Sequence, residues 1–435
     1  MKKRIGVKTK MAVALAMIFT VIAFGVVSGD STGPFGDRID AVIMKGKSLP
    51  ASILGAPIDN YGLYAANGSA VEPIPFQVDE YDDKDEILMQ KGPRPRPDSD
   101  NGAFDGNDEL VFMASDAGGK VSAKPAIDGC GSVVEIGLSD SKSGAKGYVY
   151  LAKCSAAPQK SGRRYIQWNA KNSMAITKRY KMGFQKGPNF HYDYMSTYGG
   201  PDLLDRLKVR VSVGRGRLRK VFNEENHFKN KIQGYIYGPV RISYSNLSKI
   251  GLGPFGAIPV PQHIFFYRDY VYLNNWIDSR FNPAVMGLDF EIGIMHDLEL
   301  DRSKNYKLCA NVVPNCEVID GRMTPEREAL KQKELRWGGV SGSSGAVITK
   351  FIMDPQLPTR SMGIYEDDPN RTNKPEFIPG SNPEVGFLVV DLKKAPKGIF
   401  FLDFYHYFMK KYSKAEFDRL DRLTTNPLKV KPVAL

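Results

Sequence analysis

Residues 130–154 read CGSVVEIGLSDSKSGAKGYVYLAKC, two β-rich segments that are joined by a polar loop and flanked by cysteines. The segments at 132–138 and 147–153 are short and rich in valine, isoleucine and tyrosine, which is typical of strands. The loop between them consists of turn-forming residues. We therefore expect an antiparallel hairpin, and with it a β-rich fold.

The cysteines that flank this hairpin give a test of its register. Facing residues of an antiparallel pair have a constant index sum, so a pairing of Gly137 with Gly147 places Cys130 opposite Cys154. Two cysteines that face each other at the open end of a hairpin lie within reach of a disulfide. We predict that Cys130 and Cys154 are bonded.

The first 29 residues have the pattern of a secretory signal peptide. Five basic residues precede the apolar run MAVALAMIFTVIAFGVV at 11–27, and the small residues Ser28 and Gly29 follow it. An uncleaved membrane anchor is the alternative, because this run has the minimum length of a spanning helix. We expect a secreted or periplasmic protein with no transmembrane span in its mature chain.

Export predicts a second disulfide, and the modest net charge predicts that the protein does not bind nucleic acid. Cys309 and Cys316 can close the short loop ANVVPN, since four cysteines in an exported chain favour two disulfides, with free buried thiols as the alternative. The leader carries five of the twelve net positive charges, which leaves seven on a long mature chain. We expect no nucleic-acid partner, because such binders concentrate basic residues on one element.

Helical periodicity is rare, and short β-rich runs such as RLKVRVSV, FFYRDYVYL and VGFLVVDL are broken by many of the 42 glycines and 28 prolines. Two helices are predicted, one starting at Thr324-Pro325-Glu326 and continuing through EREALKQKELR, the other over 413–423. The pattern predicts a mainly β protein with one or two β-sandwich domains and few short helices.

The chain is longer than one ordinary domain, and the polar stretch SAAPQKSGRR near residue 160 is typical of a boundary. We predict a signal peptide at 1–29, an N-terminal β domain at 34–158, a larger β-sandwich domain with short helices at 165–425, and a surface tail at 426–435.

Residues 98–112, DSDNGAFDGNDELVF, crowd acidic and amide side chains before an apolar run. Calcium prefers such closely spaced oxygen ligands, and the hypothesis of a weak calcium site rests on Asp98, Asp100, Asp105 and Asp108. The alternative, which we favour, is a set of Asx turns that leads into a strand. In either case the crowded acids require a compensating cation, whether Arg, Lys or calcium. We expect no other cofactor.

Three motifs carry a resemblance to a known family: PIPFQVDEYDDKDE at 73–86, FDGNDELVFMASDAG at 104–118 and GPVRISYS at 238–245. They resemble secreted domain-of-unknown-function proteins of polysaccharide-degrading systems, which share a PFQVD…DELVF opening and a GPVR strand. The resemblance covers about a third of the chain. It implies a β-sandwich and a glycan context, and it implies no catalytic residues.

Two aromatic clusters contain a histidine, FHYDY at 190–194 and HIFFYRDY at 263–270. Elimination on a uronic-acid polymer needs a base, an acid and a cation that neutralises the carboxylate. His191, Tyr192, Tyr267 and Arg268 supply these types and are the catalytic candidates, expected to line one cleft. The alternative is that these aromatic residues belong to the core. None of the five histidines has metal-ligand spacing to another His or Cys, so no zinc site is predicted.

The expected function is that of an exported β-sandwich protein that binds a glycan or a cell-envelope component without chemistry. A polysaccharide lyase or hydrolase is the second hypothesis. A structural or accessory envelope protein is the third. Whether the chain is an enzyme stays open at this point.

Overall fold

The computed structural model describes residues 33–68, 70–89, 91–92, 102–184, 192–253, 256–278 and 289–435. The predicted signal peptide lies outside these residues. The described chain is mainly β, which confirms the predicted fold class.

The strands are numbered in chain order. The first seven are β1 (Ala41–Lys45), β2 (Tyr61–Asn67), β3 (Ala70–Pro73), β4 (Phe76–Asp79), β5 (Glu109–Met113), β6 (Cys130–Ser139) and β7 (Lys146–Cys154). The next nine are β8 (Gln167–Asn169), β9 (Met174–Ile176), β10 (Tyr180–Gly183), β11 (Tyr194–Thr197), β12 (Leu204–Val213), β13 (Lys220–Asn223), β14 (Phe228–Tyr237), β15 (Ile242–Gly251) and β16 (Ala257–Phe266). The last ten are β17 (Tyr270–Asp278), β18 (Phe290–Leu298), β19 (Lys307–Ala310), β20 (Glu317–Val318), β21 (Trp337–Gly342), β22 (Gly345–Met353), β23 (Arg360–Glu366), β24 (Glu384–Val390), β25 (Ile399–Met409) and β26 (Lys429–Ala434).

The first unit, which we define as strands β1 to β7 with β26, is a small sandwich. A three-stranded sheet, β1-β5-β4, packs on a five-stranded sheet, β26-β6-β7-β2-β3. Side chains from both sheets form one buried core that includes Phe112, Ile136 and Leu151. Each fully buried side chain of this kind stabilises the fold by roughly 1.5–3 kcal/mol.

The predicted hairpin is β6 and β7, and both predicted disulfides are present, Cys130–Cys154 and Cys309–Cys316. The predicted register was wrong by one residue, because Gly147 faces Leu138. The ladder is irregular between Cys130 and Ser132, and the extra residue there returns Cys130 to a position opposite Cys154. A bulge therefore reconciles the shifted register with the disulfide.

The chain end lies at the surface as predicted, but it forms a strand of a sheet. Lys429–Ala434 forms β26, which pairs antiparallel with β6 at the edge of the first unit's sheet. The apolar side chains of Leu428 and Val430 join the core of that unit. Residues 426–435 thus belong structurally to the sandwich at the opposite end of the sequence.

The second unit, which we define as strands β8 to β25, is a larger sandwich. A five-stranded sheet, β13-β12-β18-β24-β23, faces a nine-stranded sheet, β14-β15-β16-β17-β25-β22-β21-β19-β20, and β11-β10-β9-β8 form a small sheet beside them. Both large sheets contribute to one core cluster, with Val211 and Phe387 from the first and Ile264 and Phe404 from the second.

The outer face of the five-stranded sheet carries a buried group of charges. Lys208 on β12 places its Nζ 2.7 Å from Asp297 and 2.6 Å from Glu384, on the two next strands. Glu376 adds a carboxylate oxygen at 3.6 Å. All four side chains are almost fully buried, so the lysine ammonium is what compensates these carboxylates.

The described α-helices are α1 (Glu224–His227), α2 (Pro325–Glu328) and α3 (Lys414–Thr425). The predicted helix near the chain end is α3, with Ser413 as its N-cap. The other predicted helix begins as expected behind Thr324, but its α-helical part ends at Glu328 and a 3-10 turn follows. It is shorter than predicted because the backbone N–H of Leu335 donates a hydrogen bond to the carbonyl of Ser361 on the edge strand β23. None of the helices in the described ranges has the length and apolarity that crossing a bilayer requires.

Candidate functional site

The three motifs that carry the family resemblance meet where the first unit contacts the second. The Gln77 side chain on β4 accepts backbone hydrogen bonds from Val240 and Arg241, at 3.1 and 2.9 Å. Gly238 allows this approach, because a Cβ there would lie 1.8 Å from the Gln77 Oε1 atom. The PFQVD and GPVR segments are therefore fitted against each other by a side-chain amide and a glycine.

The side chain of Arg241 extends this junction into the third motif. Its Nε bonds to Asp79 at 2.6 Å and its Nη2 to Glu109, of the DELVF motif, at 2.7 Å. Its Nη1 donates to the Tyr267 hydroxyl at 3.2 Å. We call Gln77, Asp79, Glu109, Arg241 and Tyr267 the hub.

The hub is buried, which strengthens the attraction between its opposite charges. Arg241 is 2% exposed and Asp79 is fully buried. Burial by itself lowers the pKa of Arg241, but Asp79, Tyr267 and Glu109 outweigh it and raise that pKa above its usual value. The guanidinium therefore stays charged and joins strands of both units.

The described part of the acidic loop forms turns. Asp108 accepts backbone hydrogen bonds on both oxygens, from Tyr81 at 3.0 Å and from Asp105 at 2.9 Å. Asp105 in turn accepts from the backbone of Asn107. These contacts are those of the Asx-turn interpretation. Asp98 and Asp100 lie outside the described residues, and calcium binding stays a prediction.

Protein cations lie among these acids. Lys45 bonds to Asp85 at 2.9 Å and approaches Glu109 to 3.7 Å, and Arg241 bonds to Glu109 from the other side. Lys45 also donates to the carbonyl of Asn107. The compensating cations thus come from β1 and from the segment before β15, far from the loop in sequence.

Asp108 leads to a prediction on pH. Burial raises its pKa to about 6, against the lowering effect of the two backbone donors. Between the unfolded and the folded pKa the folded state holds a proton that the unfolded state has lost, so this group makes stability fall as pH rises from about 4 to 6. We expect Asp108→Asn to lack this fall. Urea unfolding of both proteins at several pH values measures the difference, and parallel pH profiles would contradict the assignment.

A wide cleft of about 1490 Å³ opens on one side of the hub, between the two units. Trp168 and Tyr237 line it, and their rings stack 5.7 Å apart. Tyr235 extends the stack, 4.5 Å from Tyr237. Because Tyr235 and Tyr237 alternate on β14, they project from one face of the strand. Their spacing was the signal in the sequence that this face is aromatic.

The rest of the cleft wall carries charge. Lys160, which pairs with Asp59 at 3.0 Å, and Arg163 both lie along it. Arg163 is about one third exposed, and its guanidinium lies 3.6 Å from Asp116. Arg164 also lines the cleft and bonds to the carbonyl of Gly238. The cleft wall thus combines aromatic side chains with hydrogen-bond donors.

A smaller pocket of about 330 Å³ lies on the other side of the hub, with Arg241 and Glu109 in its wall. Its lining is rich in tyrosine: Tyr81, Tyr267, Tyr270, Tyr272 and Tyr405. Several of these rings stack in pairs, with centres 4.7 Å apart for Tyr267 and Tyr270. The hub therefore separates two aromatic cavities.

The structure describes three of the four predicted catalytic residues, and it does not place these three in one cluster. Tyr192 lies in the core between the large sheets, whereas Tyr267 belongs to the hub and lines the tyrosine pocket. Arg268 bonds to Asp269, to the Ser115 side chain and to a backbone carbonyl of the first unit. Tyr192 is thus apart from the other two because it faces the interior of the sandwich. His191 lies outside the described residues.

Comparisons with known proteins place the chain in no family. No family model matches it, and no curated protein matches it. Among solved structures it is similar to a copper-containing benzylamine oxidase from Hansenula polymorpha, with a TM-score of 0.29 and 9% identity over 90% of this chain and 80% of that one. A similarity of this size supports no inference about function.

Proposed function

We propose that this protein is exported and binds a polysaccharide chain in the cleft between its two units. The observation that carries the proposal is the ring stack of Tyr235, Tyr237 and Trp168, of which the last two line the cleft. Sugar rings present apolar C–H faces that pack on aromatic rings, while their hydroxyls need polar partners. Tyrosine and tryptophan satisfy both requirements at a wet surface.

The dimensions and polarity of the cleft support the same proposal. A volume of about 1490 Å³ exceeds that of an ordinary small-molecule pocket and fits several sugar units of a chain. Arg163 and Lys160 offer charged donors for hydroxyls and for carboxylates. Two disulfides agree with an oxidising compartment outside the cytoplasm, where polysaccharides of the cell surface occur.

Binding experiments with cleft variants test the proposal. We expect the protein to bind at least one member of a panel of neutral and uronate polysaccharides. Trp168→Ala is expected to weaken that binding by about tenfold or more, which corresponds to about 1.4 kcal/mol. Trp276→Ala is the matched control, because Trp276 is an exposed tryptophan on β17 that does not line the cleft.

The outcomes separate the hypotheses. Equal binding by the wild type, Trp168→Ala and Trp276→Ala would mean that the cleft is not the binding site. No binding to any polysaccharide would favour the structural or accessory envelope protein. The appearance of new unsaturated ends in the bound polymer would instead support the lyase hypothesis.

A further inference from the structure

Three side chains with metal-binding atoms converge in the core of the second unit. The Tyr192 hydroxyl lies 2.6 Å from Nε2 of His296 and 3.0 Å from Nε2 of His406. His296 is on β18 of the five-stranded sheet and His406 on β25 of the nine-stranded sheet. The three atoms therefore meet between the two sheets of the sandwich.

The separation of the two imidazole rings is compatible with ligands of one ion. Two imidazole nitrogens bound to one tetrahedral ion at about 2.1 Å lie about 3.4 Å apart, with ring centres about 5 Å apart. The ring centres of His296 and His406 are 5.2 Å apart, with their planes at 70°. The tyrosine oxygen would have to withdraw by several tenths of an ångström from each nitrogen to admit an ion.

The second nitrogen of one histidine already has a partner. Nδ1 of His406 lies 2.9 Å from the Thr349 hydroxyl, on the neighbouring strand β22. Metal-binding histidines usually engage their other nitrogen in such a contact, which fixes the ring orientation. His406 is thereby held with Nε2 directed at Tyr192.

Space for a further ligand adjoins two of the three side chains. Tyr192 and His296 line an apolar cavity of about 60 Å³, and His296 also lines a second cavity of about 20 Å³. A water molecule needs some 10–15 Å³ of such volume. An ion held by three side chains would therefore keep an open position for water.

We propose that Tyr192, His296 and His406 bind one divalent first-row transition metal ion, with an open coordination position that faces the apolar cavity. Two imidazoles favour copper or zinc among the available ions. On binding, the Tyr192 hydroxyl releases its proton to solvent and the phenolate oxygen bonds to the ion. A hydroxide in the open position, formed by the loss of one proton from water, neutralises the remaining charge in the apolar core.

This proposal differs from the expectation that there is no zinc site, which rested on the spacing of histidines in the sequence. Tyr192 is separated from the two histidines by 104 and 214 residues, so no short motif connects the three. The competing explanation is a hydrogen-bonded chain that only satisfies buried polar groups.

Metal titration of the full chain decides between the two. Wild-type protein, stripped of metal and dialysed against Zn²⁺, is expected to retain one ion per chain through gel filtration. Calorimetry in buffers of different ionisation enthalpy should show at least one proton released per ion. With Cu²⁺ we expect a phenolate-to-copper absorption band in the visible range.

Conservative variants locate the site. Tyr192→Phe should abolish the copper band and reduce the released protons by one, and His406→Gln should weaken Zn²⁺ binding by about tenfold or more. His227→Gln is the control, because His227 lies outside this cluster, next to Asn223. Melting curves establish that each variant is folded.

Two outcomes would overturn the proposal. One is that the folded wild-type protein retains no stoichiometric Zn²⁺ and shows no visible band with Cu²⁺. The other is that ions bind equally well to the wild type, Tyr192→Phe and His406→Gln. Neither measurement depends on a polysaccharide, so this proposal and the proposed function fail independently.

Discussion

Replacing Arg241 with methionine is expected to lower the free energy of unfolding by about 3–5 kcal/mol, the usual effect of breaking a buried ion pair on one side. The substitution leaves the fully buried Asp79 without its charged partner, and it leaves Lys45, at 3.7 Å, as the cation that still approaches Glu109. It also removes a donor from the Tyr267 hydroxyl. Urea unfolding at neutral pH measures the loss.

Second substitutions show whether the uncompensated carboxylates are the cause. Asp79→Asn in the Arg241→Met background should recover part of the stability, because it removes a buried charge that lacks a partner. Arg241→Lys keeps the positive charge but cannot bond to Asp79 and Glu109 at once as the planar guanidinium does. We therefore expect an intermediate loss of stability. A loss below about 1 kcal/mol for Arg241→Met would mean that the hub behaves as an exposed ion pair.

A loss of similar size, about 3–5 kcal/mol, is expected for Lys208→Met in the second unit. The lysine lies 2.7 Å from Asp297 and 2.6 Å from Glu384, and all three side chains are fully buried. Without it the carboxylates repel one another and must bind protons to remain buried.

The loss should depend on pH in a defined direction. Burial raises the pKa of Asp297 to about 8, although Lys208 lowers it. Because the folded pKa exceeds the unfolded value, stability falls as pH rises toward the folded pKa, and removal of Lys208 raises that pKa further. The difference between the wild type and Lys208→Met should therefore be constant below about pH 8, the folded pKa of Asp297, and grow above it, because the wild type stops losing stability there and the variant does not.

A surface ion pair provides the control for Lys208→Met. Arg215 pairs with Asp289, and its side chain is 65% exposed. Arg215→Met should leave stability nearly unchanged and show no such pH dependence, because solvent screens an exposed ion pair. Equal losses for Arg215→Met and Lys208→Met would contradict the role given to burial.

Features that depend on neighbouring residues were predictable from the sequence. The β6–β7 hairpin, its disulfide and the helix behind Ser413 each arise within a short segment, from turn residues, cysteines and a cap. The register was missed by one residue because a bulge next to Cys130 leaves little trace in the sequence.

Features that depend on distant segments were not predictable. The acidic loop needed a cation, but nothing local indicates that Arg241, 132 residues beyond Glu109, would be the one. Likewise, the Tyr192 hydroxyl meets His406, which lies 214 residues later in the chain. The aromatic clusters of the sequence therefore did not show which of their residues meet in space.

The position of β26 has a consequence for the order in which the molecule can be completed. Strand β6 emerges early in synthesis, yet its partner β26 follows about 290 residues later. Until then one edge of the first unit has unpaired backbone groups, the kind of edge that invites pairing with another chain. A contact of such sequence separation forms slowly. The sheet of the first unit is thus among the last parts of the molecule to be completed. Until then its open edge is a site where incomplete chains can pair with one another.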